Sequence, residues 1–212
     1  MGVGGLSAIG TIQANLTVAL VTGAVGLYGS AAIAGYGIAS RLDYLLIPLL
    51  FGFGTGVVTM VGANVGAGQA ARARRIAWVG AVLGGGATGV IGFLAAAFPH
   101  AWTGLFSTDE EVLATSALYL RTVAPFYILV GAGYMLYFAS QGADRVFWPV
   151  LGSTGRLLIA GVLGWLAASW FAVGLTGLFA IVAASSVLFA AVCLAAVGAG
   201  QWGMPRAAGE RP

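Results

Sequence analysis

The chain has 212 residues, of which 60% are hydrophobic and 7% are charged, and its formal net charge is +3. A typical globular domain carries about 25% charged residues, so this composition excludes a water-soluble fold and indicates an integral membrane protein. All nine basic residues are arginines that cluster at the ends of apolar runs, and without a basic face no nucleic-acid partner is expected.

Apolar runs of bilayer-spanning length recur along the chain and predict an all-α polytopic membrane fold. The six predicted spans are about 7–27, 33–65, 76–98, 113–140, 147–171 and 175–197. They form one transmembrane unit over residues 1–198, and residues 199–212 form a short cytoplasmic tail.

Charged and kinking residues distinguish the second predicted span. Arg41 and Asp43 lie in its first third, where we expect interfacial snorkelling or an ion pair with a neighbouring helix. Because they are two residues apart they do not share a helix face, so each needs a different partner.

Pro48 in this span and Pro125 in the fourth each remove a backbone hydrogen bond and are expected to kink their helices.

Glycines four residues apart predict close helix packing, either within the chain or in a dimer. These pairs are Gly52 and Gly56, Gly62 and Gly66, and Gly85 and Gly89.

The acidic segment 107–111 precedes the fourth span. Ser107 or Thr108 as N-cap, with Glu110 or Glu111 three residues later, forms a capping box. This pattern favours a helix start over a metal or catalytic site.

The distribution of arginine predicts a cytoplasmic N-terminus, because positive residues are retained on that side. This orientation places seven of the nine arginines inside, and with six spans it places both termini in the cytoplasm. The seven are Arg72, Arg74, Arg75, Arg145, Arg156, Arg206 and Arg211. Arg41 and Arg121 then lie toward the outside, and the first three of the seven are predicted to determine topology.

Seven polar or aromatic side chains are candidates for lining a substrate cavity: Gln13, Asn15, Tyr36, Asn64, Tyr134, Tyr137 and Gln141. In hydrocarbon, each amide needs a partner, which is either an interhelical hydrogen bond or a substrate. Tyr134, Tyr137 and Gln141 share one helix face, which suits stacking on flat organic cations or ordinary packing.

Motifs of soluble enzymes are not supported. Gly66-Ala67-Gly68 follows a membrane helix instead of a strand, so it does not predict a dinucleotide site. The single His100 and the single Cys193 exclude multi-histidine and multi-cysteine metal sites. We therefore predict a protein that is not an enzyme and has no cofactor.

The segment Ala34–Arg75 resembles the second helix of the C-terminal lobe of multidrug and toxic compound extrusion (MATE) transporters. The shared elements are Ala34-Gly35-Tyr36-Gly37-Ile38, Arg41-Leu42, the Pro48 to Gly56 segment, Val61 to Gly68, and Arg72-Ala73. Later landmarks are Leu105-Phe106 followed by Asp109, and Gln141-Gly142 with Pro149 before Arg156.

The resemblance implies two six-helix lobes around a central cavity and export of organic cations and drugs in exchange for H⁺ or Na⁺. Its implied partners are the bilayer of the plasma or cell inner membrane, an organic cation, and a missing N-terminal lobe or a second copy of this chain. Some family members have acidic residues in the first and fourth helices of this lobe, but those spans contain no interior Asp or Glu here. The coupling acid is therefore expected in a missing N-terminal lobe, as in the proton-coupled bacterial branch. A lipid-linked oligosaccharide flippase and an inactive or structural membrane fragment are the alternatives.

Overall fold

The computed structural model describes residues 3–171 and 173–199, and the described part is helical throughout its membrane-spanning length. Nearly all of the predicted tail, residues 200–212 with Arg206 and Arg211, lies outside the described residues. The helices are α1 (Val3–Gly26), α2 (Ser30–Gly66), α3 (Ala70–Ala97), α4 (Pro99–Thr103), α5 (Glu110–Val123), α6 (Tyr127–Gly142), α7 (Phe147–Arg156), α8 (Gly164–Trp170) and α9 (Gly174–Gly198).

Six helical stretches in the described residues are long and apolar enough to cross a membrane, which confirms the predicted number of spans. Four of them are the single helices α1, α2, α3 and α9. The fourth and fifth spans, Glu110–Gly142 and Phe147–Trp170, are each assembled from two α-helices and a short connecting segment.

The two proline predictions have different outcomes. Pro125 lies in a 3₁₀ turn, Ala124–Phe126, that separates α5 from α6, because its ring and missing N–H interrupt the regular ladder. The helix α2 is continuous through Pro48, and the kink expected there stays a prediction. The fifth span contains a π-helical segment, Leu157–Leu163, that the sequence analysis did not predict.

The start of the fourth span differs from the predicted capping box. Asp109 is the N-cap, and its carboxylate accepts hydrogen bonds from the backbone N–H of Glu111 at 3.0 Å and Val112 at 3.1 Å. Ser107 instead accepts a bond from the N–H of Asp109 and stabilises the turn before the helix. The shorter Asp side chain reaches the free N–H groups of the first turn directly, so neither Ser107 nor Thr108 is the cap.

Glycine packing joins α3 to the fourth span. A Cβ built at Gly92 would lie 2.1 Å from the carbonyl oxygen of Ala124, and one at Gly85 would lie 2.9 Å from that of Ile128. Only glycine allows the two backbones to approach this closely. The pair Gly85 and Gly89 therefore packs within the chain, as one of the two sequence alternatives predicted.

The other two glycine pairs have different surroundings. Gly62 faces the backbone of Gly142 on α6, whereas Gly66 has open space around it. Gly52 also meets nothing within 4 Å, and Gly56 meets only the tip of Met60 on its own helix.

Two apolar cores hold the helices together. One contains Tyr36, Leu46, Tyr119 and Phe179, so it lies between the first half of α2, α5 and α9. The other contains Val61, Leu136 and Phe189, so it lies between the second half of α2, α6 and α9. A buried polar cluster lies beside the first core.

Candidate functional site

The polar cluster is centred on Asp43, which lies inside the second span, thirteen residues or about 20 Å along α2. Its Oδ2 accepts a 2.6 Å hydrogen bond from the hydroxyl of Tyr119 on α5. Its Oδ1 accepts a hydrogen bond from the hydroxyl of Tyr127 on α6. Both carboxylate oxygens are thus held by tyrosines from the fourth span. Where interfacial snorkelling or an ion pair was expected for Asp43, the structure instead provides neutral hydroxyl donors from α5 and α6.

The aromatic surroundings of Asp43 come from three other elements. Tyr36 lies two helical turns before Asp43 on the same face of α2, and its ring meets that of Tyr119 edge-on at 5.3 Å. Phe179 of α9 stacks on Tyr36 at 6.3 Å and meets Tyr119 edge-on at 5.1 Å. Tyr36, Tyr119, Tyr127 and Phe179 are all buried, so the carboxylate lies against a rigid aromatic wall.

Arg156 contributes a positive charge to the same region. It is the last residue of α7, ten residues into the fifth span, and it interacts electrostatically with Asp43 and Tyr36. Its Nε is buried and has no hydrogen-bond partner among the described residues. Arg156 was counted among the cytoplasmic topology signals. Its side chain lies ten residues into the fifth span and near Asp43, so its role as a topology signal stays a prediction.

Arg41 is separate from this cluster. Its guanidinium lies 4.9 Å from the centre of the Phe106 ring, a cation–π contact, and the side chain is exposed. The different environments of Arg41 and Asp43 confirm the prediction that two residues two positions apart have different partners.

Two of the predicted cavity residues lie near the first half of α1. Gln13 donates a 2.8 Å hydrogen bond from Nε2 to Oγ1 of Thr154 on α7, and its Oε1 is buried without a partner among the described residues. One turn earlier on α1, a Cβ at Gly10 would lie 2.9 Å from the hydroxyl of Tyr137 on α6. Gln13 thus makes an interhelical contact of the predicted kind.

The other candidates are placed differently. The side-chain amides of Asn15 and Asn64 donate to carbonyls one turn earlier on their own helices, those of Thr11 at 2.9 Å and Met60 at 2.7 Å. Either an interhelical hydrogen bond or contact with substrate was expected for both. The donors bond within their own helices instead, because an amide in a helix can reach the backbone four residues before it, and contact of either side chain with substrate stays a prediction.

The remaining candidates lie in two further places. Tyr134 packs on Phe189 with ring centres 5.3 Å apart, and Gln141 is partly buried at the end of α6 with a partner in the chain. Tyr36 belongs to the Asp43 cluster. The structure therefore distributes the seven candidates over several regions of the helix bundle, and their contact with substrate stays a prediction.

Neither Tyr119 nor Tyr127 was expected to be a functional residue from the sequence. The available signal was Asp43 itself, an acidic residue within the second span and seven residues from Tyr36. Its donors lie 76 and 84 positions away, and no local pattern connects them to it.

The three arginines predicted to determine topology, Arg72, Arg74 and Arg75, lie at the start of α3 and are exposed. Arg72 and Arg75 also line a groove between α2 and α3, whereas Arg74 does not.

Comparison with known proteins identifies the family of this fold. The MatE family model matches residues 7–166, which extend from within α1 to the start of α8 and include every residue of the Asp43 cluster except Phe179. The chain belongs to the MatE family. It is accordingly a multi-pass membrane protein of a transporter family, as the apolar spans and the sequence resemblance predicted.

Two curated relatives are similar to part of this MatE chain. It is 27% identical over 146 residues to "Probable multidrug resistance protein YoeA" of Bacillus subtilis, covering 68% of this chain and 31% of that protein. It is 28% identical over 148 residues to "Uncharacterized transporter C4B3.13" of Schizosaccharomyces pombe, covering 70% of this chain and 25% of that protein. The matches thus span less than a third of either relative.

Solved structures show the same MatE fold. The Vibrio cholerae MATE transporter VcmN in its bent form superposes with a TM-score of 0.81 at 18% identity, over 92% of this chain and 44% of VcmN. A MOP superfamily transporter from Pyrococcus furiosus superposes with a TM-score of 0.74 at 15% identity, over 88% of this chain and 41% of that protein. The chain therefore matches less than half of each of these transporters.

Proposed function

We propose that this chain is one six-helix lobe of a secondary antiporter that exports organic cations and drugs in exchange for H⁺ or Na⁺. Membership of the MatE family and similarity to a protein named for multidrug resistance support the substrate class. The proposed coupling mechanism is supported by the Asp43 carboxylate, which accepts hydrogen bonds from the hydroxyls of Tyr119 and Tyr127 inside the bundle.

The other half of the transporter must come from elsewhere. The match to 44% of VcmN supports a chain that forms one lobe, completed by an N-terminal lobe or by a second copy of itself. Expression of this chain alone, compared with co-expression with an N-terminal MatE lobe, separates these cases. Dye efflux from the chain alone would favour a homodimer, efflux only on co-expression would favour a separate lobe, and no efflux in either case would favour an inactive or structural fragment.

Asp43 can couple ion binding to helix movement. An ionised carboxylate accepts hydrogen bonds through both oxygens, whereas a protonated one acts as a donor at one of them. Protonation, or Na⁺ bound at the carboxylate, therefore competes with the bonds from Tyr119 and Tyr127. Loss of those bonds loosens α2 from the two helices of the fourth span, and a ligand that favours one arrangement shifts the population toward it. Asp43 is thus a candidate coupling residue in addition to any acid in the other lobe.

The test is ion-driven dye efflux by the complete transporter in proteoliposomes. Asp43→Asn, which keeps the shape but cannot change its charge, should abolish most H⁺- or Na⁺-dependent efflux while membrane insertion stays normal. Glu110→Gln is the matched control, because Glu110 is an exposed acid in the first turn of α5. Unchanged coupling in Asp43→Asn would assign the coupling acid to the other lobe, as the sequence analysis expected.

Substrate contact is tested separately in the same vesicles. Gln141→Ala and Asn64→Ala should each lower transport while insertion stays normal, because both are predicted cavity residues near the ends of α2 and α6. Equal transport by both variants would remove them from the substrate path. Counterflow that depends on a lipid-linked oligosaccharide and not on drugs would favour the flippase alternative.

A further inference from the structure

The start of α3 and the second half of α2 enclose an apolar groove of about 680 Å³. Its lining residues are Phe53, Val57, Met60, Ala71, Arg72, Arg75, Ile76, Val79, Gly80 and Leu83. Two arginines lie at one end, and every other lining residue is apolar or small. The groove does not include the Asp43 cluster or any of the seven predicted cavity residues.

The groove is open toward the surroundings of the protein. Phe53 is 43% exposed, Met60 is 49% exposed and Leu83 is 57% exposed. In a membrane span, exposed apolar side chains lie against lipid acyl chains or against another transmembrane segment. The floor is tight, because a Cβ at Gly80 would lie 2.7 Å from a methyl group of Val57. The groove thus has a closed floor and an open apolar side.

The groove has the length of one membrane leaflet. From Arg75 to Leu83, α3 advances eight residues, or about 12 Å. Half of the hydrocarbon core of a bilayer is about 15 Å thick. Trp78, which is 37% exposed near the arginine end, is typical of the headgroup boundary. The arginines therefore lie at headgroup level when Leu83 lies toward the bilayer centre.

Charge at the groove end is positive and uncompensated. Neither Arg72 nor Arg75 makes a hydrogen bond or an ion pair with another residue of the described part of the chain, and no acidic residue lines the groove. Arg72 and Arg75 are three residues apart, so they project from the same side of α3. Two guanidinium groups in this arrangement match the oxygens of a phosphodiester, which arginine binds bidentately.

We propose that this groove binds an anionic phospholipid. The phosphate lies between Arg72 and Arg75, and one acyl chain lies along Phe53, Val57 and Leu83. The headgroup charge complements the two arginines, and the acyl chain covers the exposed apolar side. Such a lipid stabilises the contact between α2 and α3 at the arginine end of the bundle.

Lipid titration of the purified full chain, followed by native mass spectrometry in detergent, tests this proposal. Phosphatidylglycerol should bind more tightly than phosphatidylcholine of the same acyl chains. Arg72→Gln combined with Arg75→Gln should weaken phosphatidylglycerol binding by at least about tenfold, since each arginine near a lipid surface contributes appreciably to anionic binding. Arg74→Gln is the matched control, and it should stay within about twofold of the wild type because Arg74 lies outside the groove.

A double lysine variant and a competition with inorganic phosphate complete the test. Arg72→Lys combined with Arg75→Lys retains both positive charges needed for insertion and should give an intermediate loss, because lysine cannot bind a phosphate bidentately. Inorganic phosphate should not compete at the concentrations at which phosphatidylglycerol binds. Equal binding of the two lipids, equal weakening by Arg74→Gln, or displacement by free phosphate would each overturn the proposal.

Discussion

Tyr119 on α5 donates a 2.6 Å hydrogen bond to Asp43 on α2, across 76 positions of the sequence. The other carboxylate oxygen accepts a bond from Tyr127 at the start of α6. Because the turn at Pro125 separates α5 from α6, one carboxylate connects α2 to both parts of a broken span. Any change in its charge is therefore transmitted to both parts.

Removal of either tyrosine hydroxyl should destabilise the bundle. In Tyr119→Phe or Tyr127→Phe, one carboxylate oxygen loses its donor inside the protein, which costs about 1–3 kcal/mol. Thermal unfolding in detergent measures the effect as a lower midpoint. Tyr134→Phe is the control, because Tyr134 contributes its ring to a contact with Phe189 and should leave the midpoint nearly unchanged. Equal midpoints for Tyr119→Phe, Tyr127→Phe and Tyr134→Phe would show that the bonds to Asp43 contribute nothing to stability.

Arg156 and Asp43 should behave as a coupled pair. Arg156 interacts electrostatically with Asp43 although no ion pair joins their side chains, so removing either charge leaves the other less compensated. Arg156→Met and Asp43→Asn should each lower the stability measured by thermal unfolding, and the double variant should lose less than the sum of the two. Additive effects would show that the charges act independently. Arg121→Met, at an exposed position on α5, should add to Asp43→Asn without coupling.

The sequence predicted the parts of this structure that depend on local pattern. Span number follows from apolar runs, and the break in the fourth span follows from Pro125, since both effects act within one helix. The donors to Asp43 could not be predicted, because they are distant in sequence and meet it only after three helices pack. The π-helical segment Leu157–Leu163 contains neither a proline nor a charge that would have indicated it.

Close packing between α3 and the fourth span should depend on Gly92. A methyl group there would lie 2.1 Å from the carbonyl oxygen of Ala124, so Gly92→Ala must push the backbones apart and should cost about 1–3 kcal/mol. Gly86 lies on the same helix with nothing within 4 Å, and Gly86→Ala should be neutral. Unfolding midpoints of the two variants measure the difference. A Gly92→Ala variant as stable as Gly86→Ala would show that this contact is not tight in the membrane.

The predicted orientation can be measured with single cysteines on the two sides of the bundle. Gln69, between α2 and α3, and Thr108, before α5, are both exposed, and an odd number of spans separates them. In a Cys193→Ala background, an impermeant maleimide applied to intact cells should label Thr108→Cys and leave Gln69→Cys unlabelled until the cells are opened. Cys193 is buried, so its replacement removes background labelling without exposing a new surface.

Changing Arg72, Arg74 and Arg75 together to Gln should make Gln69→Cys partly accessible from outside, because the positive charges retain this loop in the cytoplasm. Labelling of Gln69→Cys in intact cells without those changes would reverse the orientation and place both termini outside.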